Sequence, residues 1–296
     1  MRNFSNFNFK IVLIIIFVSF LIYYGYNKNT SPELKKYPKD IKEISIKNDD
    51  KFDFYNSEND LILIIADSHL YTNSFNKIKA ILDKYNIKLV VHLGDHTDFG
   101  SDDELIKAKK LLDELDTNYI ALPGDRDLAA YSGDSQFFKV FQRTDSIKFG
   151  KYDLLFINNS PNFTPLNQTY MNTVLPLIKK SNIIFTSQPI YVEKGNILES
   201  KYMGSPTAFS EIDESTIKNQ AQLLRQRDLL LNEIRKNSDK LIVSGDHHRS
   251  SFYTDPINET VKYHLVGATA EFLNSTKTKE FISCKNWPML TSFCTS

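Results

Sequence analysis

Residues 61–69 read LILIIADSH and residues 88–98 read KLVVHLGDHTD. Each begins as an apolar run of strand length and ends on carboxylates and imidazoles. A run that is apolar throughout, rather than alternating, is the pattern of a strand covered on both faces, as in a parallel α/β sheet. In such sheets the ligand crevice lies outside the carboxyl ends of the strands. Asp67, His69, Asp95 and His96 therefore stand where a protein of this class keeps its chemistry.

Outward from these stretches the same unit recurs. Helical periodicity over residues 74–85 separates the two runs, and a second helix is predicted over 103–115. A strand at 119–122 then ends on Gly124-Asp125-Arg126-Asp127. A strand at 154–157, a helix at 167–180 and a strand at 182–186 lead to Ser187-Gln188-Pro189. A long helix at 217–236 precedes a strand at 241–244, which ends on Gly245-Asp246-His247-His248-Arg249. Residues 251–253 and 261–266 read as closing strands.

A divalent cation that activates water needs imidazole nitrogens and carboxylate oxygens converging on one point. Asp67 and His69 are two apart, so on extended chain they point the same way. Glycine before Asp95, Asp125 and Asp246 lets the backbone close in and aim the carboxylate. One Gly-Asp pair is a common turn; several in order, each behind an apolar strand, form a specific signal. His92 falls inside a strand and His264 near a closing strand, and both read as packing residues. Asp98 and Asp127 read as turn caps or ligand orienters.

This ordered set resembles the calcineurin-like metallophosphoesterase family, whose pattern runs D-x-H, G-D, G-N-H-D/E, H-x-P and G-H-x-H. The resemblance covers about residues 60–270 and implies a two-sheet α/β sandwich flanked by helices. It implies a first metal on Asp67, His69, Asp95 and His248. The second half departs from the pattern. Asp125 replaces the family's asparagine, Arg126 its catalytic histidine, Ser187 the histidine before the proline, and Asp246 the first histidine of the last motif. A second ion would meet Asp95 as a bridge, Asp125, Asp246, and Ser187 or Gln188. That donor set is nearly all oxygen, which favours Mg²⁺, Mn²⁺ or Ca²⁺ over Zn²⁺.

Arginine stays protonated at ordinary pH and is a poor acid, but it clamps phosphate oxygens well. Arg126 is thus expected to bind the phosphoryl group, with Gln188 and Arg249 as further substrate contacts. His96 and His247 are the alternative proton donors. The expected activity is hydrolysis of a phosphomonoester or phosphodiester by metal-activated hydroxide, with one or two divalent ions as cofactor. The alternative is a weak or inactive member of the same fold that binds metal and phosphate.

Composition narrows the partners. The 296 residues are 41% hydrophobic and 24% charged, enough for one large domain with an appendage or two small domains. Lys+Arg and Asp+Glu both number 36. A neutral balance offers no broad basic field for nucleic acid, while one local cation suffices for a phosphorylated small molecule or lipid. Cys284 and Cys294 match no common zinc spacing. They would be a short-loop disulfide outside the cytoplasm or two thiols within it.

Residues 11–26, IVLIIIFVSFLIYYGY, carry no charge and follow Arg2 and Lys10. The run is slightly short of the ~20 residues of a spanning helix, and Tyr23, Tyr24 and Tyr26 stand where interfacial aromatics anchor one. With no small-x-small cleavage pattern behind it, the segment reads as an uncleaved signal anchor. Residues 1–26 are then the anchor, 27–58 a Lys-, Asn-, Asp- and Pro-rich stalk, and 59–296 the metallophosphoesterase domain. Lys28, Lys35, Lys36 and Lys39 favour a cytoplasmic domain by the positive-inside count. The short basic tail before a single anchor favours a single-pass protein with its domain outside the cytoplasm, and that is the expectation adopted.

Overall fold

Along β1 (Leu61–Ile65) alternate side chains enter different cores, although nearly all are apolar. Ile62 and Ile64 join one cluster, Leu63 and Ile65 another. β5 (Tyr152–Ile157) does the same, with Leu154 and Phe156 on one side and Leu155 and Ile157 on the other. This is the period of two expected of a pleated strand, hidden in the sequence because both faces are covered.

The computed structural model describes residues 60–130, 133–160, 164–193, 202–204, 214–248, 250–269, 282–283 and 289–291. The expected anchor and stalk lie outside the described residues, as do Arg249, Cys284 and Cys294. Among the described residues no helix is long and apolar enough to cross a membrane.

From the start of the described chain, α1 is Thr72–Lys84, β2 Ile87–His92, α2 Asp102–Asp113 and β3 Asn118–Ala121. A short 3₁₀ turn at Arg126–Leu128 and α3 (Phe137–Val140) lead to β4 (Ser146–Phe149) and β5. Then follow α4 (Gln168–Lys180), β6 (Ile183–Thr186), α5 (Glu214–Arg235) and β7 (Lys240–Ser244). β8 (Ser251–Thr254), β9 (Val261–Leu265), β10 (Ile282–Ser283) and β11 (Met289–Thr291) complete the strands.

The strands form two sheets, ordered β10-β11-β1-β2-β3 and β4-β5-β6-β7-β9-β8. β1, β2 and β3 are parallel, as are β5, β6, β7 and β9. β4, β8 and β10 join as antiparallel edge strands, so the sheets are mixed rather than wholly parallel. The inner faces meet in a central core: Ile62, Ile64, Leu89 and Val91 against Leu154, Phe156, Phe185 and Val243. Phe156 and Phe185 stack there at 5.1 Å, and truncating either to alanine should cost about 3–5 kcal/mol.

Helices cover the outer faces. Phe75 and Ile78 of α1 and Leu105, Ala108 and Leu112 of α2 pack on the first sheet. Met171, Val174 and Ile178 of α4 and Leu223, Leu230 and Ile234 of α5 pack on the second. The result is the expected α/β architecture of two sheets flanked by helices. Thr269 ties the sheets together at the strand ends: Ala66 N donates to its Oγ1 at 3.1 Å, and its own N–H donates to Ala66 O at 2.8 Å.

Candidate metal centre

The loops that leave β1 and β2 are hydrogen-bonded to one another. Asp67 N donates to Gly94 O at 2.9 Å, His69 N to Asp95 O at 3.1 Å and Leu70 N to His96 O at 2.9 Å. Asp67 and His69 do not achieve their common direction on extended chain, as the two-residue spacing suggests. Both have left-handed backbone, φ 51° and 45°, and Asp95, Asp246 and His248 share that conformation at 55°, 69° and 54°. Asp and His tolerate this region better than most residues, yet it remains uncommon and concentrates where function requires it. Leu70, at φ 59°, has no such tolerance and marks strain held in the turn.

Glycines allow the close approach. A Cβ on Gly94 would lie 2.7 Å from the backbone of Gly124, and a Cβ on Gly124 would lie 2.0 Å from Asp95 Oδ1. The β2 and β3 loops thus touch backbone to backbone, which brings Asp95 beside Asp125. Gly245 plays the same part between the sheets, its missing Cβ facing those of Ala66 and Leu93 at 3.2 Å.

Two donor groups result. Asp67, His69, Asp95 and His248 each place a ligand atom within 4.8 Å of the others, and so do Asp95, Asp125 and Asp246. Asp95 belongs to both. His248 Nε2 lies 3.5 Å from Asp67 Oδ1, and the His69 and His248 rings are 6.0 Å apart. His69 Nδ1 faces two acceptors, Thr97 O at 3.1 Å and Asp98 Oδ1 at 3.0 Å. Nδ1 must therefore carry the proton, which leaves the Nε2 lone pair for a cation.

The chemistry of the donors fits divalent ions. Burial first, then the carboxylates of Asp125, Asp67, Asp127 and Asp246, push the Asp95 carboxyl well above its usual range. Without a cation the group is held against its own charge, and a divalent ion would reverse that. Two imidazoles and two carboxylates in the first group suit Zn, Fe or Mn; the all-carboxylate second group suits Mg or Mn. Ser187, 1% exposed at the end of β6, has no hydrogen-bond partner for its Oγ among the described residues. Its carbonyl accepts from Gly245 N at 3.2 Å, which sets it beside the loop carrying Asp246 and His248.

Around this centre several residues hold the loops in place. Buried Asp127 accepts from the N–H groups of His96, Thr97 and Gly124 and from the Thr97 hydroxyl, at 2.8–3.2 Å. It locks the β2 loop onto the β3 loop. Arg126 N donates to Asp95 Oδ1 at 3.1 Å. His92 accepts from Gly94 N at Nδ1, so its Nε2 donates to Ser68 Oγ at 2.8 Å, between Asp67 and His69. It does more than pack. Asn159, after β5, exchanges two hydrogen bonds with the Gln188 backbone, at 2.8 and 2.9 Å. Asn159 and Thr269 were not singled out from the sequence. The signal was there for Asn159, since Asn158-Asn159-Ser160 also stand at a strand end.

His96, expected as an alternative proton donor, lies inside the protein and not on the open face of the site. Its ring, 1% exposed, stacks on His92 at 3.6 Å and on Phe141 at 5.2 Å. Nε2 faces Leu122 O at 3.0 Å, so its N–H is committed to a backbone carbonyl. Burial lowers its pKa and keeps it neutral. His247 is likewise buried, and so is Gln188. Arg126 is exposed, and its guanidinium makes no ion pair among the described residues.

Two packed sheets whose strand ends converge on shared carboxylates define an α/β sandwich with a candidate metal centre at one edge. Residues 61–273 match the calcineurin-like phosphoesterase family, and the chain belongs to it. Among solved structures, a dimetal phosphatase from Danio rerio aligns with a TM-score of 0.49 at 12% identity, over 72% of this chain and 88% of that one. A purple acid phosphatase from yellow lupin (Lupinus luteus) seeds aligns with a TM-score of 0.46 at 13% identity, over 70% of this chain and 44% of that one. Both scores are low, and the family match carries the assignment. No curated protein matches the chain significantly in sequence.

Proposed function

We propose that this protein is a metal-dependent phosphoester hydrolase that binds two unlike divalent ions. The reading rests on one observation: two donor groups, one with two imidazoles and one all carboxylate, share Asp95 at the ends of parallel strands. Asp67, His69, Asp95 and His248 would hold the first ion; Asp95, Asp125 and Asp246 would hold the second, with Mg or Mn favoured there. When bound, such ions neutralise phosphoryl charge and lower the pKa of water.

The side chains themselves divide the remaining work. Arg126, exposed at the corner of the β3 loop and with no ion pair to its guanidinium among the described residues, suits a clamp on two phosphoryl oxygens. Arginine is a poor acid in place of the family's histidine, and the His96 N–H is occupied by the Leu122 carbonyl. A lost general acid costs about 10²–10⁴-fold in rate, so the substrates served best are those whose leaving group departs unaided. The same feature supports the second reading, a member that binds metal and phosphate and turns over slowly. The substrate is a phosphorylated small molecule or lipid. The protein would be held at a membrane by residues 1–26, its domain outside the cytoplasm.

Elemental analysis of the purified chain, combined with turnover of aryl and alkyl phosphate mono- and diesters, tests the proposal. Two ions per chain and hydrolysis of aryl esters are expected. Arg126→His should help alkyl esters far more than aryl esters, because only the former need the proton. Bound metal with no turnover of any ester would leave the binding reading in place.

A further inference from the structure

Two aromatic side chains stand exposed on the very loops that build the first donor group. Phe99 is 66% exposed and Tyr71 51%. A lone exposed aromatic needs no explanation. These two stand on hydrogen-bonded loops that both contact His69, Tyr71 two residues after it and Phe99 next to Asp98. Tyr71 follows the consecutive left-handed residues His69 and Leu70, and its N–H donates to Ser68 O at 3.0 Å. Tyr71 thus follows a left-handed turn and remains half exposed.

Phe99 is fixed from both neighbours. On one side Asp98 reaches His69 Nδ1. On the other, Gly100, at φ 67°, abuts the turn that bears the clamp: a Cβ there would lie 2.2 Å from Asp127 O and 2.9 Å from Arg126 O. Glu104 Oε2 accepts from Phe99 N at 3.2 Å, and Thr97 Oγ1 accepts from Gly100 N at 3.0 Å. Phe99 thus lies between a donor of the first group and the backbone of Arg126, with its ring open to solvent. An ester whose phosphoryl group lay between those two points would have this exposed ring among its neighbours.

We propose that Phe99, with Tyr71, is a specificity-determining platform that stacks on a planar aromatic group carried by the phosphoester. That group is an aryl alcohol or a nucleobase. The inference rests on the phosphoesterase reading of the site. Rigid aromatic faces favour a flat partner, because stacking gains more from fixed planes than a flexible alkyl chain does. It also agrees with the missing acid, since many aromatic alcohols leave without a proton.

Phosphonates, whose C–P bond resists hydrolysis, permit a binding test on the metal-loaded full chain by calorimetry. Methylphosphonate, phenylphosphonate and a nucleoside 5′-phosphonate would be compared with inorganic phosphate. Phenylphosphonate should bind about tenfold or more tightly than methylphosphonate, and Phe99→Ala should reduce that preference to about onefold. Phe99→Leu, which keeps apolar area without the flat face, should recover little of it. Tyr71→Ala should remove a smaller share. Unchanged metal content and melting temperature in the variants would show intact folding. A nucleoside phosphonate that binds more tightly than the phenyl compound assigns the aromatic group to a base; the reverse order assigns it to an aryl ester. Equal affinity for methyl- and phenylphosphonate in the wild type, or a preference that survives Phe99→Ala, overturns the platform alone. If neither inorganic phosphate nor any phosphonate binds, the phosphoesterase reading falls, and the platform with it.

Discussion

The two donor groups share Asp95 and little else. The first, Asp67, His69, Asp95 and His248, combines imidazole with carboxylate, and one of its two histidines, His69, is set by Asp98 and Thr97. The second, Asp95, Asp125 and Asp246, offers carboxylates alone, and Asp125 and Asp246 are only partly buried. One is assembled in advance by backbone turns and outer hydrogen bonds. The other is a cluster of like charges that a cation must hold together. The difference implies two affinities, two metal preferences and a strong dependence on pH.

The largest effect should come from the shared residue. Asp95→Asn should empty both groups, lowering metal affinity by more than about 100-fold and abolishing turnover. Equilibrium dialysis with Mn²⁺ measures it, and retention of either ion would separate the two groups that the account joins. Asp246→Asn should lose the second ion and leave the first, reducing the metal content to one per chain.

Asp98→Ala should act on the first group only. Removing the acceptor that fixes the His69 tautomer should weaken that ion by about 10–100-fold, with Asp98→Asn milder. The second group should bind as before. An equal loss at both groups would make Asp98 a general support of the loop.

The pH dependence follows from Asp95. Burial and its acidic neighbours raise its pKa in the folded protein, so the metal-free fold binds this proton more tightly than the unfolded chain does. Its contribution to stability is present at low pH and is lost as pH rises through the raised value. A cation displaces that proton, so metal affinity should climb over the same interval and binding should release protons. The stabilisation by metal, measured as a shift in melting temperature, should therefore grow with pH. A constant shift across the range would mean that Asp95 is already ionised without metal.

The smallest effects concern the frame. Gly124→Ala would push a Cβ to within 2.0 Å of Asp95 Oδ1 and should cost about 1–3 kcal/mol of stability together with metal affinity. Thr269→Val should leave the buried Ala66 N–H unsatisfied, for about 1–3 kcal/mol, with weaker effects on metal. Chemical denaturation of apo and loaded protein separates the two contributions.

Much of this was legible from strand ends. Asp67, His69, Asp95, Asp125, Asp246 and His248 stand behind apolar runs, and the rule that ligands gather there brought them together before any geometry was known. The division into two sheets was legible only through the family resemblance, because Ile62 and Leu63 are both apolar and conceal which face each serves. The edge strands β4 and β10 and the short α3 carry too few residues for a pattern. Asp127 is legible as an orienter of its turn, but its bonds to His96 and Thr97, like those of Asn159 to Gln188 and of Thr269 to Ala66, join residues far apart in sequence, and no local spacing names such partners. The burial of His96 is hidden for a related reason. Its place beside Asp95 suggested chemistry, while an aromatic pocket built from Phe137 and Phe141 turned its ring inward.

Electron paramagnetic resonance of the Mn²⁺-loaded full chain distinguishes two unlike sites that share Asp95 from independent or single ones. Wild type should show two Mn²⁺ per chain with the spin-coupled signal of ions that share a carboxylate. Asp246→Asn should show one uncoupled ion, and Asp95→Asn close to none. Two uncoupled ions in the wild type, or a coupled pair that persists in Asp95→Asn, would contradict the account.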